Sequence, residues 1–68
     1  DVIYSIAEQI ILARKKQQMT QADLAEKVGT KQSVISRIEK ANISRPPSLT
    51  TLMRIAEALG KTLKIQLQ

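Results

Sequence analysis

The chain contains no cysteine and no histidine. Without cysteine it has no disulfide and no thiolate that could bind a metal or act as a nucleophile. Without histidine it also lacks the commonest zinc ligand and the side chain that usually serves as general base near neutral pH. The 6 acidic residues are scattered, with no close pair suited to acid–base catalysis. The sequence therefore predicts a protein that is not an enzyme and that requires no metal, cofactor or small-molecule substrate.

Aromatic residues and long apolar runs are also scarce. Tyr4 is the single aromatic residue, which argues against RNA binding by base stacking. The longest apolar run starts at Ile10 and ends before Arg14, far short of the roughly 18 residues that a membrane span needs. No basic stretch leads into an apolar run, as it would in a signal peptide. We expect a soluble protein of the cytoplasm, associated with the nucleoid.

The charge is unbalanced toward the positive side. Lys and Arg number 11 against 6 Asp and Glu, which gives a net charge of +5 on only 68 residues. This length fits one domain with one core. A basic excess on so small a chain points to an anionic partner, and nucleic acid is the first candidate.

Apolar spacing and capping residues predict four helices. The first runs from Val2 to about Gln17. Thr20 and Asp23 form a capping-box pattern before a second helix, Gln21–Lys27, which Gly29 ends. Thr30 is expected to cap a third helix, roughly Lys31–Lys40, and residues 41–47 read as a loop. Ser48 is expected to cap a fourth helix, which Gly60 ends. The inward positions predicted for the four helices are Ile3, Ile6, Ala7, Ile10 and Ala13; Leu24, Ala25 and Val28; Val34, Ile35 and Ile38; and Leu49, Leu52, Ile55, Ala56 and Leu59.

The last eight residues show a different pattern. Leu63, Ile65 and Leu67 alternate with polar residues, which is typical of a strand with one buried face. Because the chain has no second strand, we expect this one to pair with its copy in a second subunit, with a frayed or helical tail as the alternative. The predicted fold is all-α: a compact bundle of four to five short helices with a helix-turn-helix in residues 1–60, and a C-terminal β-strand for dimerisation in residues 61–68.

The stretch from Thr20 to Glu39 resembles the helix-turn-helix of lambdoid phage repressors and Cro proteins, in the Cro/C1 (XRE) family. The cap, the small residue Ala25, the turn residue Gly29 and the inward apolar positions all fall at the family's spacing. The likeness extends over roughly residues 6–60. The first helix, the fourth helix and the Leu-Gly-Lys-x-Leu-x-Ile tail are also similar to DNA-binding antitoxins of bacterial toxin–antitoxin operons.

The resemblance implies roles for individual residues. It implies base contacts in the major groove for Gln32, Ser33 and Arg37, although Ser33 suits a phosphate contact equally well. It implies contacts with the DNA backbone or the minor groove for Gln21, Lys31, Ser36, Lys40, Asn42, Ser44 and Arg45. It also implies a buried structural ion pair between Arg14 and Glu39. Composition alone would leave the outward residues of the third helix as an ordinary solvated face.

Two functions follow as hypotheses. The first is a homodimeric transcriptional regulator, a repressor that binds a near-palindromic double-stranded DNA operator. The second is an antitoxin that binds a toxin protein as well as its own operator. Tyr4, Ile11 and Leu12 on the first helix are candidate contacts for a toxin, but they would serve a dimer interface equally well.

Overall fold

A computed structural model of the chain describes residues 2–41 and 47–60. Four helices follow one another in these ranges: α1 (Val2–Lys16), α2 (Gln21–Val28), α3 (Gln32–Glu39) and α4 (Leu49–Leu59). The all-helical class is confirmed for this part of the chain. The predicted strand with Leu63, Ile65 and Leu67 lies outside the described residues. Within the same ranges, no helix combines the length and the apolar character required to cross a bilayer.

Helix α1 buries the stripe that its spacing predicts. Ile6, Ala7, Ile10 and Ala13 are buried, and Ile3 is half-buried at the edge of the stripe. The helix ends in three consecutive basic residues, which favour the negative end of the helix dipole. A short turn then leads to α2, in which the backbone N–H of Met19 bonds the carbonyl oxygen of Arg14 at 3.1 Å.

Local hydrogen bonds define both ends of α2. The Thr20 hydroxyl accepts a 3.0 Å bond from the Asp23 backbone N–H, and the Asp23 carboxylate accepts a 2.9 Å bond from the Thr20 backbone N–H. This reciprocal pair is the predicted capping box. Gly29 ends the helix with a φ of 86°, in the left-handed region where a side chain is disfavoured.

Helix α3 begins one residue later than expected. Thr30 does not cap it, because Lys31 occupies the N-cap position and makes no side-chain capping bond. The backbone N–H of Thr30 bonds the carbonyl oxygen of Ala25 at 2.9 Å, so Thr30 belongs to the turn that closes α2. The connection between α2 and α3 stays tight, as a helix-turn-helix requires.

Helix α4 starts after Ser48, whose hydroxyl accepts a 3.1 Å bond from the Thr51 backbone N–H, and it ends at Gly60. The prediction that Leu49 points inward is wrong, since this side chain is 65% exposed. Leu52 is the first buried residue of the helix, and Leu49 lies on the turn that precedes it. The spacing of Leu49 matched the stripe, but the core does not extend to the first turn.

One aliphatic core joins the four helices. Helices α1 and α2 both contact α3 and α4. In the helix-turn-helix, α2 therefore packs against α4, and α3 packs against α1. The core cluster consists of Ile6, Ile10, Ala13, Leu24, Ala25, Ile35, Ile38, Leu52, Ile55 and Leu59. Val28 and Val34 are half-buried and pack against it. The buried side of α3 is thereby fixed, which leaves its opposite side outward.

Candidate nucleic-acid interface

The outward side of α3 is polar and holds the residues expected to contact DNA. Ile35 and Ile38 are buried on its inner side, whereas Gln32, Ser33 and Arg37 are exposed. Ser33 and Arg37 are four residues apart and therefore neighbours on one helix face. The amide of Gln32 and the guanidinium of Arg37 are the groups that can make paired hydrogen bonds to adenine and to guanine, respectively.

Positive charge surrounds this face. Lys31 directly precedes α3, Lys40 directly follows it, and both side chains are exposed. Ser36 is half-buried at the edge of the same face. The single acidic residue of α3 is Glu39, and its carboxylate is occupied by Arg14. The outer surface of the helix is therefore suited to an anionic partner.

Arg14 and Glu39 form a two-bond ion pair between α1 and α3. Arg14 Nε lies 2.7 Å from Glu39 Oε2, and Arg14 Nη2 lies 2.9 Å from Oε1. The side chains are 12% and 4% exposed. The hydrogen bond to Glu39 raises the pKa of Arg14 above its ordinary value. Arg14 Nη1 also donates a 2.8 Å bond to the carbonyl oxygen of Met19, so Nε, Nη1 and Nη2 of this arginine all bond to groups within the protein.

Gln21, the first residue of α2, is joined to the same carboxylate. Its Nε2 donates a 3.0 Å hydrogen bond to Glu39 Oε1, and the side chain is half-buried. The sequence reasoning placed Gln21 at the DNA backbone and the ion pair in the interior, but it did not connect them. The two residues are 18 positions apart on different helices, and no local pattern reports such a contact.

The remaining predicted contacts, Asn42, Ser44 and Arg45, lie in the segment between α3 and α4 that is outside the described residues. Residues 2–41 and 47–60 contain no group of three or more acidic, histidine or cysteine side chains that could hold a metal ion. What the described residues bring together is an exposed polar and basic helix face, with a charge-neutral network behind it.

A family model described as helix-turn-helix matches residues 10–65 of the chain. The chain therefore belongs to the Cro/C1-type helix-turn-helix family, which confirms the resemblance seen in the sequence. It is also 36% identical, over 61 residues, to an uncharacterized HTH-type transcriptional regulator of Haemophilus influenzae. That match covers 90% of this chain and 60% of the relative, so the chain spans less than two thirds of the relative's length. No solved structure gives a significant match.

Proposed function

We propose that this chain is a transcriptional regulator that binds double-stranded DNA in a sequence-specific manner and represses transcription by occupying an operator. The observation that carries the proposal is the outer face of α3, where Gln32, Ser33 and Arg37 are exposed between two flanking lysines. In a helix-turn-helix, the second helix enters the major groove with its N-terminal residues toward the base edges. Family membership and the name of the Haemophilus relative support the same reading.

Within this proposal the residues divide into two groups. Gln32 and Arg37 read bases, because an amide and a guanidinium can each make two bonds to one base. Ser33 contacts a base or a phosphate. The residues that position the domain on the backbone, or in the minor groove, are Gln21, Lys31, Ser36, Lys40, Asn42, Ser44 and Arg45.

The proposed regulator acts as a homodimer. A dimer presents two recognition helices about 34 Å apart, which is one turn of the double helix, so the operator is a near-palindrome. Residues 61–68, with Leu63, Ile65 and Leu67 on one side, are the proposed pairing strand. Removal of residues 62–68 should then shift the mass measured in solution toward the monomer, while an unchanged dimer would move the interface to the helices.

Selection from a pool of random DNA duplexes at physiological salt tests the proposal. We expect enrichment of a near-palindrome with half-sites one turn apart. Arg54 supplies a matched control, since it is an exposed cation on α4, beside Lys27 and Glu57, and not on α3. Arg54→Ala should recover the same sequence as the wild type, and Arg37→Ala should recover a degenerate one. Binding that depends on salt, without any enriched sequence, would contradict the proposal.

A second candidate function is that of an antitoxin, and one observation favours it. Tyr4 and Leu12 of α1 are each 63% exposed and line, with Ile11, an open groove beside Glu39. A contiguous patch of exposed apolar side chains is a common mark of a protein interface. If a toxin binds here, Leu12→Lys should abolish its co-purification and leave DNA selection unchanged. Loss of the dimer in the same variant would assign the surface to self-association instead.

A further inference from the structure

The carboxylate of Glu39 is the meeting point of three helices. It accepts two hydrogen bonds from Arg14 of α1, at 2.7 and 2.9 Å, and one from Gln21 of α2, at 3.0 Å. Glu39 itself is the last residue of α3. The end of the proposed recognition helix is thereby tied to the first residue of α2.

This contact fixes which way the Gln21 amide faces. A carboxylate has no proton to give, so only the amide nitrogen of Gln21 can bond to it, and the amide oxygen must point elsewhere. The nitrogen carries two hydrogens, and the bond to Glu39 uses one. Among the residues that the structure describes, none accepts the second. Because Gln21 is only half-buried, this second N–H is available to an external acceptor.

The charge of Glu39 would be a disadvantage next to a phosphate if it stood alone. Arg14 removes that disadvantage, because its guanidinium lies against both carboxylate oxygens. The bond to Met19 further fixes the guanidinium in place. The three side chains thus form a neutral unit in which the carboxylate orients an amide without repelling an anion.

We infer that Glu39 is a positioning residue for DNA: held by Arg14, it turns an N–H of Gln21 toward a backbone phosphate. The inference rests on the proposed function and adds a mechanism to it. The phosphate contact at the start of α2 depends on the last residue of α3. The position of α3 in the major groove and the phosphate contact of Gln21 are then coupled through Glu39.

The central test replaces the ion pair by apolar residues of similar size, Arg14→Met with Glu39→Leu. Such paired replacement of a buried ion pair can leave folding intact, which thermal unfolding followed by circular dichroism would verify. Gln21→Ala in the wild-type background should weaken binding to the selected duplex at least about tenfold per half-site, as loss of a hydrogen bond to a charged group would. The paired variant should lose a similar factor, and Gln21→Ala added to it should cause no further loss.

Chemical changes in the DNA distinguish a positioning role of Glu39 from a purely structural one. Replacing single phosphates by uncharged methylphosphonates should reveal a position per half-site where wild-type affinity falls and Gln21→Ala affinity does not. The paired variant should be insensitive at that same position, yet keep its sensitivity at phosphates contacted by other residues. A merely structural role for Glu39 would lower affinity without changing which phosphate matters.

Glu39→Gln provides a second variant if the paired one fails to fold: its amide oxygen can still accept a bond from Arg14, and the same thermal unfolding verifies that it is folded. It keeps the shape of residue 39 but lets the facing Gln21 amide adopt either orientation, so sensitivity at that phosphate should decrease. Full sensitivity in Glu39→Gln or in the folded paired variant would overturn the inference, as would a wild type unaffected by Gln21→Ala. If the wild-type protein selects no duplex at all, the proposed function itself fails, which is a separate result.

Discussion

Gln17, just beyond the end of α1, donates a 2.7 Å hydrogen bond from its Nε2 to the carbonyl oxygen of Leu59, the last residue of α4. The last carbonyl groups of a helix have no partner within the helix. Gln17 supplies one from a distance of 42 positions in the sequence. The bond joins the C-terminal ends of α1 and α4.

Gln17→Ala should therefore lower the free energy of unfolding by about 1 kcal/mol, the usual net value of one hydrogen bond. Urea unfolding followed by circular dichroism would measure it. Lys16→Ala is the matched control, since Lys16 is an exposed neighbour and should change stability by less than about 0.5 kcal/mol. Equal effects of the two substitutions would mean that the bond to Leu59 contributes nothing in solution.

The Arg14–Glu39 pair should behave very differently when one partner is removed and when both are. Arg14→Met alone, or Glu39→Leu alone, leaves a charge stranded in a largely buried position, at a cost of about 3–5 kcal/mol. The double substitution removes both charges and should cost much less than the sum. A double-mutant cycle on urea unfolding gives the comparison. Additive losses would show that the two side chains do not interact.

Among the described residues, two helix ends use a left-handed residue that is not glycine. Gln18 after α1 and Ala41 after α3 have φ angles of 58° and 54°. Glycine accepts this conformation without strain, while other residues pay about 1–2 kcal/mol. Gln18→Gly and Ala41→Gly should therefore raise the thermal midpoint. Gly29→Ala should lower the thermal midpoint, because Gly29 has a φ of 86° and alanine is strained in this conformation. A Cβ at this position would meet no atom within 4 Å, so the loss would reflect backbone strain and not a steric clash. A rise with Gly29→Ala would contradict the argument.

The capping box at the start of α2 gives stability a defined pH dependence. The backbone N–H and the hydroxyl of Thr20 hold the pKa of Asp23 below its ordinary value. A carboxylate with a lowered folded-state pKa stabilises the fold above its unfolded pKa, near 3.9, and loses this contribution as the pH falls through the folded value. The stability difference between wild type and Asp23→Asn should thus shrink on acidification from pH 6 to below 3. A constant difference would indicate that the charge plays no part.

Much of the fold was predictable because its signals are local. The Thr20–Asp23 pair and the glycines at 29 and 60 mark helix ends through bonds within a few residues, and the helix ends observed there agree. The buried stripe of α1 follows from spacing alone. Thr30 failed as a cap by one position: its backbone N–H bonds Ala25 in the turn that ends α2, and Lys31 takes the N-cap position of α3.

The features that sequence reasoning missed depend on where helices meet. Leu49 has the spacing of a core residue, but no helix within residues 2–41 covers the first turn of α4 well enough to bury it. The contacts Gln17–Leu59 and Gln21–Glu39 join residues far apart in the chain. No pattern in the sequence around a glutamine indicates which distant residue it will contact. The proposed site is a similar case: spacing predicts the outward face of α3, while the neutral network behind it becomes visible only when α1, α2 and α3 are packed together.

Arg37 and Lys31 offer the sharpest test of how the exposed face is divided between bases and backbone. Arg37→Ala should remove about 1–3 kcal/mol of discrimination at one base pair per half-site, because a guanidinium can make two bonds to guanine. Lys31→Ala should weaken binding to all sequences alike and reduce the slope of log affinity against log salt by about 1 per protomer, because it removes one phosphate contact. Titration of a duplex panel, substituted at each operator position and measured at several salt concentrations, separates the two effects. If both variants lose affinity equally and keep the same base preference, Arg37 contacts phosphate, and sequence reading must fall to Gln32 and Ser33.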